Sequence, residues 1–280
     1  MERTGNGRPR VAAIQMASGP WVAGNQQEIR RLLQLAADQG AHLVVLPENA
    51  LLMGMDERDK LEYRESDRGG PLQDFFAEQA AYHGVWLVAG AMPMFGTDPE
   101  RARQSCLVFD PGGERVARYD KIHLFDVDVE GDQAYRESAT LEPGDRLAVV
   151  DTPFGRIGLS ICYDLRFPEL YRQLVERGAE LLVVPSAFTA RTGEAHWRTL
   201  VRARAIENLS VVIAPNQGGY HVNGRETHGE SMIVDPWGQV LDSLSRGSGV
   251  VCSEVDLDRL RDLRRRFPAL DHRRMHAVSW

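Results

Sequence analysis

Apolar runs of strand length alternate with amphipathic stretches in the first third of the chain. The runs 11–16, 42–47 and 85–90 are short and almost wholly apolar, as expected of buried strands. Between them, 26–39 and 72–83 carry apolar residues at helical spacing, and each ends at a glycine. This order of strand, helix, strand, helix and strand predicts a layered α/β domain.

Two turns of the same kind interrupt this rhythm. Asp-Pro-Gly-Gly at 110–113 and Asp-Pro-Trp-Gly at 235–238 each separate two apolar runs. In such a turn proline fixes φ, aspartate caps the turn and glycine adopts the dihedral angle that other residues avoid. The sequence therefore predicts a β-hairpin at each place, and two similar halves that each contain a mixed sheet.

The second half continues the alternation of strands and helices. Predicted strands are 157–161, 181–184, 211–214 and 249–255, and predicted helices are 168–177 and 194–208. No linker or low-complexity segment divides the chain. We therefore expect residues 1–280 to form one domain of two sheets covered by helices.

Composition and charge narrow the classes of function. The 280 residues are 43% hydrophobic and 26% charged, which is typical of a globular protein and excludes a disordered chain. Lys and Arg total 33 against 40 Asp and Glu, and the net charge of −7 argues against broad nucleic-acid or anionic-membrane surfaces. The polar amino-terminal segment lacks the apolar core of a signal peptide, and no run approaches the ~18 apolar residues of a membrane span.

The three cysteines differ in their surroundings. Their odd number and the absence of Cys-x-x-Cys predict a reducing compartment, and we expect a cytoplasmic protein. Cys106 and Cys252 lie within or beside predicted strands and are expected to be buried and inert. Cys162 lies between a strand and a helix, where a thiol can be exposed beside backbone N–H groups, although a buried structural cysteine is the alternative.

Glu48 and Lys121 are the residues that could act with this thiol. Glu48 follows an apolar strand, at the end where open α/β sheets bind their ligands, and Lys121 follows the first hairpin. Singly, a surface carboxylate and a solvated lysine explain them as well. Together, Glu48, Lys121 and Cys162 supply a proton acceptor, an ammonium for an oxyanion and a nucleophile, which suffice to hydrolyse an amide.

Two other clusters have simpler explanations. A metal site is conceivable at His123 and the acids that follow it, Asp126, Asp128, Glu130 and Asp132. However, no second histidine lies at helical spacing from His123. A solvated acidic loop is the preferred interpretation. The arginine-rich tail 259–274 also carries apolar residues, and we interpret it as a docked segment or a subunit contact rather than a nucleic-acid site.

Several motifs carry a family resemblance that covers nearly the whole chain. They are Leu-Pro-Glu-Asn at 46–49, Tyr-Asp-Lys-Ile-His-Leu-Phe-Asp at 119–126, Ile-Cys-Tyr-Asp-Leu-Arg-Phe-Pro-Glu at 161–169, Thr-Gly-Glu-Ala-His-Trp at 192–197 and Ser-Met-Ile-Val-Asp-Pro-Trp-Gly at 231–238. In these motifs the chain resembles the Nit branch of the nitrilase superfamily of carbon–nitrogen hydrolases. Segments 185–188 and 202–208 resemble the deaminated-glutathione amidases more than the ω-amidases.

The resemblance implies a four-layer α-β-β-α sandwich, a cofactor-free and metal-free mechanism, and a homodimer or larger homo-oligomer. It also implies roles for the residues at the motif positions. Glu48 is the expected general base, Lys121 the oxyanion stabiliser, Cys162 the nucleophile and Glu137 a supporting acid. The expected substrate-binding residues are Tyr163, whose N–H would help to hold the oxyanion, with Arg166, Ser186 and Ala187.

Two of these positions leave questions open. Arg166 could pair with a substrate carboxylate, pair with Asp164 or brace the turn after the nucleophile. Glu230 stands where similar proteins usually have histidine, and an acid there could alter the substrate fit or a neighbouring contact.

The expected activity is hydrolysis of a small carboxylated amide through a thioester. The resemblance favours deaminated glutathione, which would release 2-oxoglutarate and Cys-Gly. Alternatives are an ω-amidase acting on 2-oxoglutaramate, a nitrilase, an N-carbamoyl amidohydrolase, and a non-catalytic binding protein on a hydrolase scaffold.

Overall fold

The structure is a computed structural model that describes residues 8–130 and 134–275. These residues form seventeen strands and five α-helices. The strands are β1 (Arg10–Gln15), β2 (Leu43–Val45), β3 (Trp86–Val88), β4 (Met92–Phe95), β5 (Ala102–Phe109), β6 (Arg115–Asp120), β7 (Asp126–Val127), β8 (Tyr135–Arg136), β9 (Val149–Thr152), β10 (Gly155–Leu159), β11 (Leu181–Val183), β12 (Val211–Ala214), β13 (Gly218–Tyr220), β14 (Glu226–His228), β15 (Ser231–Val234), β16 (Val240–Leu244) and β17 (Gly249–Glu254).

The α-helices are α1 (Val22–Asp38), α2 (Pro71–His83), α3 (Pro168–Glu176), α4 (Ala190–Asn208) and α5 (Leu257–Arg266). Three short 3-10 helices cover Asp59–Tyr63, Glu137–Ala139 and Cys162–Arg166. The polar amino-terminal segment 1–7 and Asp132 of the acidic loop lie outside the described residues.

The first large sheet has the strand order β17-β1-β2-β3-β5-β4, with β6 also paired to β5. Strands β1, β2 and β3 are parallel, and the other pairings are antiparallel. Side chains alternate across β1: Ala12 and Ile14 pack with residues of α1 and α2, whereas Val11 and Ala13 pack in the other core cluster, with the second sheet. Helices therefore cover one face of this sheet, and the second sheet covers the other.

The second large sheet has the order β16-β15-β12-β11-β10-β9, again with three parallel strands, β10, β11 and β12, at its centre. Leu170 and Leu174 of α3 and Trp197 and Val201 of α4 are buried in the core cluster of this sheet. The layers are thus helices, sheet, sheet, helices. The predicted α-β-β-α sandwich of two mixed sheets is confirmed.

Both predicted hairpins are present, as β5–β6 and β15–β16. The division into two halves is less strict than the sequence suggested, because β17 leaves the second half and pairs antiparallel with β1. Small sheets β7–β8 and β13–β14 were not predicted, since strands of two or three residues carry no periodic signal.

The arginine-rich tail is docked, as predicted. Leu257 and Leu260 of α5 are buried, and Arg264 donates hydrogen bonds to the carbonyls of Ala179 and Leu209. None of the described helices combines the length and apolar character needed to cross a membrane.

Two tryptophans provide a test of this packing. Trp197 is 0% exposed, and its indole N–H donates to the Glu230 carbonyl, whereas Trp237 is 62% exposed. We expect Trp197→Ala to lower the free energy of unfolding by ~3–5 kcal/mol, because it leaves a large cavity and an unpaired carbonyl. The matched variant Trp237→Ala should cost less than about 1 kcal/mol. Equal losses in urea unfolding would contradict this account of the α4 layer.

Candidate active site

A buried ion cluster joins three of the residues predicted from the sequence. The Lys121 ammonium lies 2.9 Å from Glu48 Oε1 and 3.0 and 2.9 Å from the two carboxylate oxygens of Glu137. The Lys121 side chain is 0% exposed and that of Glu48 is 3% exposed. Buried charges at these distances stabilise one another strongly, because little water screens them.

Close backbone packing at two glycines positions this cluster. A Cβ on Gly90, which has φ +66°, would lie 2.2 Å from the carbonyl oxygen of Pro47, directly before Glu48. A Cβ on Gly144 would lie 2.2 Å from the Asp120 carbonyl oxygen, directly before Lys121, whose own carbonyl accepts the Gly144 N–H at 2.8 Å. Any larger residue at either position would displace one of the charged groups.

Cys162 begins the 3-10 helix after β10 and has the positive φ of 47°, in a region that non-glycine residues rarely adopt. Its thiol lines the same pocket as Glu48 and Ala187, and the nearby Glu48 carboxylate and Ala187 backbone N–H both affect the pKa of the thiol. Strain of this kind typically costs ~1–3 kcal/mol and occurs at functional sites, where the surrounding contacts hold it. The structure thus places the sulfur against Glu48 and beside the Lys121 ammonium.

The charges of the cluster determine its protonation. Burial lowers the pKa of Lys121, but the carboxylates of Glu137 and Glu48 outweigh it and hold that pKa well above its usual value. Burial and the Glu48 carboxylate raise the pKa of the Cys162 thiol well above its usual value, against the smaller opposing effect of Lys121. At neutral pH the site therefore holds an ammonium and a protonated thiol.

Asp164 connects the segment that carries Lys121 to the segment that carries Cys162, a role that the sequence analysis missed. Its buried carboxylate accepts hydrogen bonds from Tyr119 Oη at 2.7 Å and from the Ile161 N–H at 2.8 Å. It also accepts the N–H of His123 and contacts the His123 ring. These bonds hold the two loops together, and they exclude the predicted pairing of Asp164 with Arg166, because its oxygens already have other donors.

The two carboxylates of the ion cluster and the Cys162 thiol line one pocket that opens to solvent. Its lining residues are Glu48, Asn49, Phe125, Glu137, Cys162, Tyr163, Arg166, Ala187, Phe188, Thr189, Thr192 and Arg225. Carboxylates, arginines and aromatic rings in one cleft favour a small polar ligand with at least one anionic group.

The predicted substrate-binding residues divide into two groups. Tyr163, Arg166 and Ala187 line the pocket. Ser186 is not among the lining residues. Its side chain is fully buried and donates a hydrogen bond to the Val184 carbonyl at 3.0 Å, and its backbone forms a parallel β-bridge with Asn216. Contact between Ser186 and the substrate stays a prediction.

Arg166 lies over the rings of Tyr163 and Phe188, with its Cζ 5.8 and 5.2 Å from their centroids. Its Nη1 donates to His196 Nδ1 at 3.2 Å, and burial lowers its pKa. Among residues 8–130 and 134–275 it forms no ion pair with a carboxylate. A guanidinium in the pocket without a carboxylate partner favours binding of a substrate anion over a bracing role.

The remaining expectations concern residues outside the pocket. His123 contacts Asp164 and stacks on Phe167, and no group of three or more His, Cys, Asp or Glu in the described parts of the chain could hold a metal ion. Glu230 pairs with Arg198 and His228 rather than lining the pocket, so it affects a neighbouring contact. Cys106 is fully buried and Cys252 is half-buried.

Comparisons with known proteins show the family to which the chain belongs. A family model described as "Carbon-nitrogen hydrolase" matches residues 10–265. The chain belongs to the carbon–nitrogen hydrolase family. The predicted enzyme class and the resemblance to the nitrilase superfamily are both confirmed.

Individual members of the carbon–nitrogen hydrolase family resemble the chain over most of its length. The deaminated glutathione amidase of Synechocystis sp. (strain PCC 6803 / GT-S) is 44% identical over 94% of this chain and 97% of its own. That of Homo sapiens is 41% identical over 95% of this chain and 82% of its own. The crystal structure of Saccharomyces cerevisiae Nit3, a member of branch 10 of the nitrilase superfamily, superimposes with a TM-score of 0.86 at 27% identity, covering 96% of this chain and 97% of that one.

The environments of the three thiols generate a prediction. Only Cys162 of the three cysteines lines the pocket, where Glu48 can accept its proton as the sulfur attacks, so iodoacetamide should label Cys162 faster than Cys106 or the half-buried Cys252. The rate should rise with pH, because the pKa of Cys162 is raised and the thiolate fraction grows as pH approaches it. Peptide mass spectrometry measures the three rates, and Cys162→Ser serves as the control. Equal rates at the three cysteines would support the non-catalytic scaffold instead.

Proposed function

We propose that this carbon–nitrogen hydrolase cleaves the amide bond of deaminated glutathione, with Cys162 as nucleophile and Glu48, Lys121 and Glu137 as the other catalytic residues. The observation that carries the proposal is the buried Lys121 ammonium between Glu48 and Glu137, two carboxylates that line the same pocket as the Cys162 thiol. A nucleophile that shares a pocket with a base and a fixed positive charge is the arrangement that acyl transfer requires.

The contacts suggest the order of proton transfers. Glu48 takes the thiol proton as the sulfur attacks the amide carbonyl carbon, which forms a tetrahedral oxyanion held by the Lys121 ammonium and the Tyr163 N–H. The C–N bond then breaks as Glu48 returns the proton to the leaving nitrogen, and a thioester remains. Glu48 next takes a proton from water, which attacks the thioester and releases the acid, and the proton returns to the thiolate.

Glu137 acts on Lys121 in this scheme. Both of its oxygens contact the ammonium, and one also accepts the Phe125 N–H at 2.8 Å. The ammonium therefore stays charged and fixed in position while Glu48 gains and loses its proton. A group held in place beforehand stabilises a transition state without the cost of reorganisation.

The choice of substrate rests on the relatives and on Arg166. Relatives at 41–44% identity bear the name deaminated glutathione amidase. Deaminated glutathione carries a carboxylate on its 2-oxoglutaryl group, and Arg166 is a guanidinium in the pocket that pairs with no carboxylate of the described residues. A charge-assisted bond from Arg166 to that carboxylate would place the scissile carbonyl against the thiol.

The proposal retains three further expectations from the sequence. The chain acts without a cofactor, because the four catalytic groups supply every proton transfer and the nucleophile. It acts in the cytoplasm, in agreement with its three unpaired cysteines. It acts as a homodimer or larger homo-oligomer; the exposed rings of Trp237 and Phe267, with centroids 6.2 Å apart, are suited to a subunit contact.

A panel of four amides and nitriles tests the proposed function. We expect the highest kcat/KM for deaminated glutathione, compared with 2-oxoglutaramate, a simple nitrile and an N-carbamoyl amino acid. The products 2-oxoglutarate and Cys-Gly should appear in equal amounts. A higher kcat/KM for any of the other three would replace the substrate while leaving the catalytic residues as proposed.

The role of Lys121 is tested by Lys121→Met, which keeps the length of the side chain but removes the charge. We expect kcat to fall by at least ~10²-fold, as happens when one oxyanion donor is lost. Thermal unfolding checks that the variant is folded. A rise in KM at unchanged kcat would assign Lys121 to substrate binding instead of transition-state stabilisation.

A further inference from the structure

Three aromatic rings form a continuous strip in the pocket region, and an arginine lies at each end of it. The Phe125 ring lies 5.0 Å from Tyr163 on one side and 5.0 Å from Tyr135 on the other. Arg166 lies over Tyr163 at 5.8 Å, and Arg225 lies over Tyr135 at 5.2 Å. The two guanidiniums thus lie over the two outer rings of the strip, and both line the pocket.

Phe125, at the middle of this aromatic strip, is next to the catalytic groups. Its backbone N–H donates to Glu137, which contacts Lys121. Cys162 directly precedes Tyr163 in the sequence, both residues line the pocket, and Arg166 lies over the Tyr163 ring. Arg166 is therefore the arginine near the thiol, and Arg225 is at the far end of the strip.

Arg225 is held in place but keeps most of its hydrogen-bonding capacity. It lies on the turn between β13 and β14, and its side chain is 14% exposed. Its Nη1 donates to Glu57 at 3.1 Å, and Glu57 is also paired with Lys60 at 2.6 Å. Because Lys60 balances the charge of Glu57, the group of Glu57, Lys60 and Arg225 keeps a net positive charge at the pocket.

The two ends of the strip match the two ends of a particular kind of amide. Deaminated glutathione has one carboxylate on the acyl side of the scissile bond and a second on the glycine of the leaving Cys-Gly. 2-Oxoglutaramate has only the first. A pocket for 2-oxoglutaramate needs one guanidinium for the single substrate carboxylate, whereas a second guanidinium suits a leaving group that is also anionic.

We propose that Arg225 binds the carboxylate of the leaving group, so that the site selects amides with a carboxylate on each side of the scissile bond. The proposal rests on the proposed function, since it assigns Arg166 to the acyl side. Arg225 donates through the N–H groups that Glu57 does not use, and Tyr135 and Glu57 fix its orientation. Arg225, Tyr135 and Glu57 take no part in the proposed proton transfers.

The test pairs a variant with a substrate analogue that lacks one carboxylate. Deaminated glutathione is compared with its carboxyl-terminal glycinamide, which keeps the scissile amide and loses only the distal charge. We expect Arg225→Met to lower kcat/KM about 10- to 100-fold for deaminated glutathione, the loss of a charge-assisted contact. For the glycinamide and for 2-oxoglutaramate, kcat/KM should change less than about threefold.

Two further variants separate binding from structural effects. Arg225→Lys keeps the charge and should restore part of the lost kcat/KM for deaminated glutathione. Arg246→Met removes another arginine near the same hairpin, one that pairs with Glu226 and is 56% exposed, and should leave all three substrates unaffected. Equal losses with deaminated glutathione and its glycinamide in Arg225→Met would overturn the proposal, because a merely structural role does not distinguish them.

Binding measurements keep this proposal separate from the proposed function. In the Cys162→Ala background no turnover is needed, and calorimetry compares deaminated glutathione with its glycinamide. Tighter binding of the former, lost on adding Arg225→Met, supports the Arg225 assignment even if another amide proves to be the better substrate. Absence of any difference in binding overturns it, whereas failure of the wild-type chain to hydrolyse deaminated glutathione overturns only the proposed function.

Discussion

The Lys121 ammonium, buried between the carboxylates of Glu48 and Glu137, is the interaction on which the site depends. A buried charge that loses one partner costs ~3–5 kcal/mol, so none of the three groups can be removed without penalty to the others. They come from separate parts of the chain: the end of β2, the end of β6 and the 3-10 helix at 137–139. The ion cluster therefore joins these loops and orients the base towards the thiol.

The second constraint is the link between the two halves of the fold. Cys162 belongs to the second sheet, whereas Glu48 and Lys121 belong to the first. The Asp164 carboxylate spans this division, because it accepts hydrogen bonds from Tyr119 on one side and Ile161 on the other. A neutral tyrosine and a backbone amide, both hydrogen-bonded to one buried carboxylate, fix the geometry of this contact. The packing of two apolar faces alone would not fix it.

The sequence predicted those features that follow from local pattern. Each of Glu48 and Cys162 follows an apolar run, and Lys121 follows a hairpin with a recognisable turn, so their positions at strand ends could be inferred. Glu137 had no local signal and was assigned only through the resemblance to a family. Arg225 could not have been found, because its importance depends on a distant ring, Tyr135, that long-range folding brings to it.

The pairing of β17 with β1 has a consequence for biosynthesis. Without β17, β1 is the edge of its sheet, and its outer backbone N–H and C=O groups have no partner. A nascent chain must therefore emerge from the ribosome beyond residue 254 before its first sheet can close. Until then the buried valine and isoleucine side chains of β1 lie beside an open strand edge, which is a site where another chain could pair.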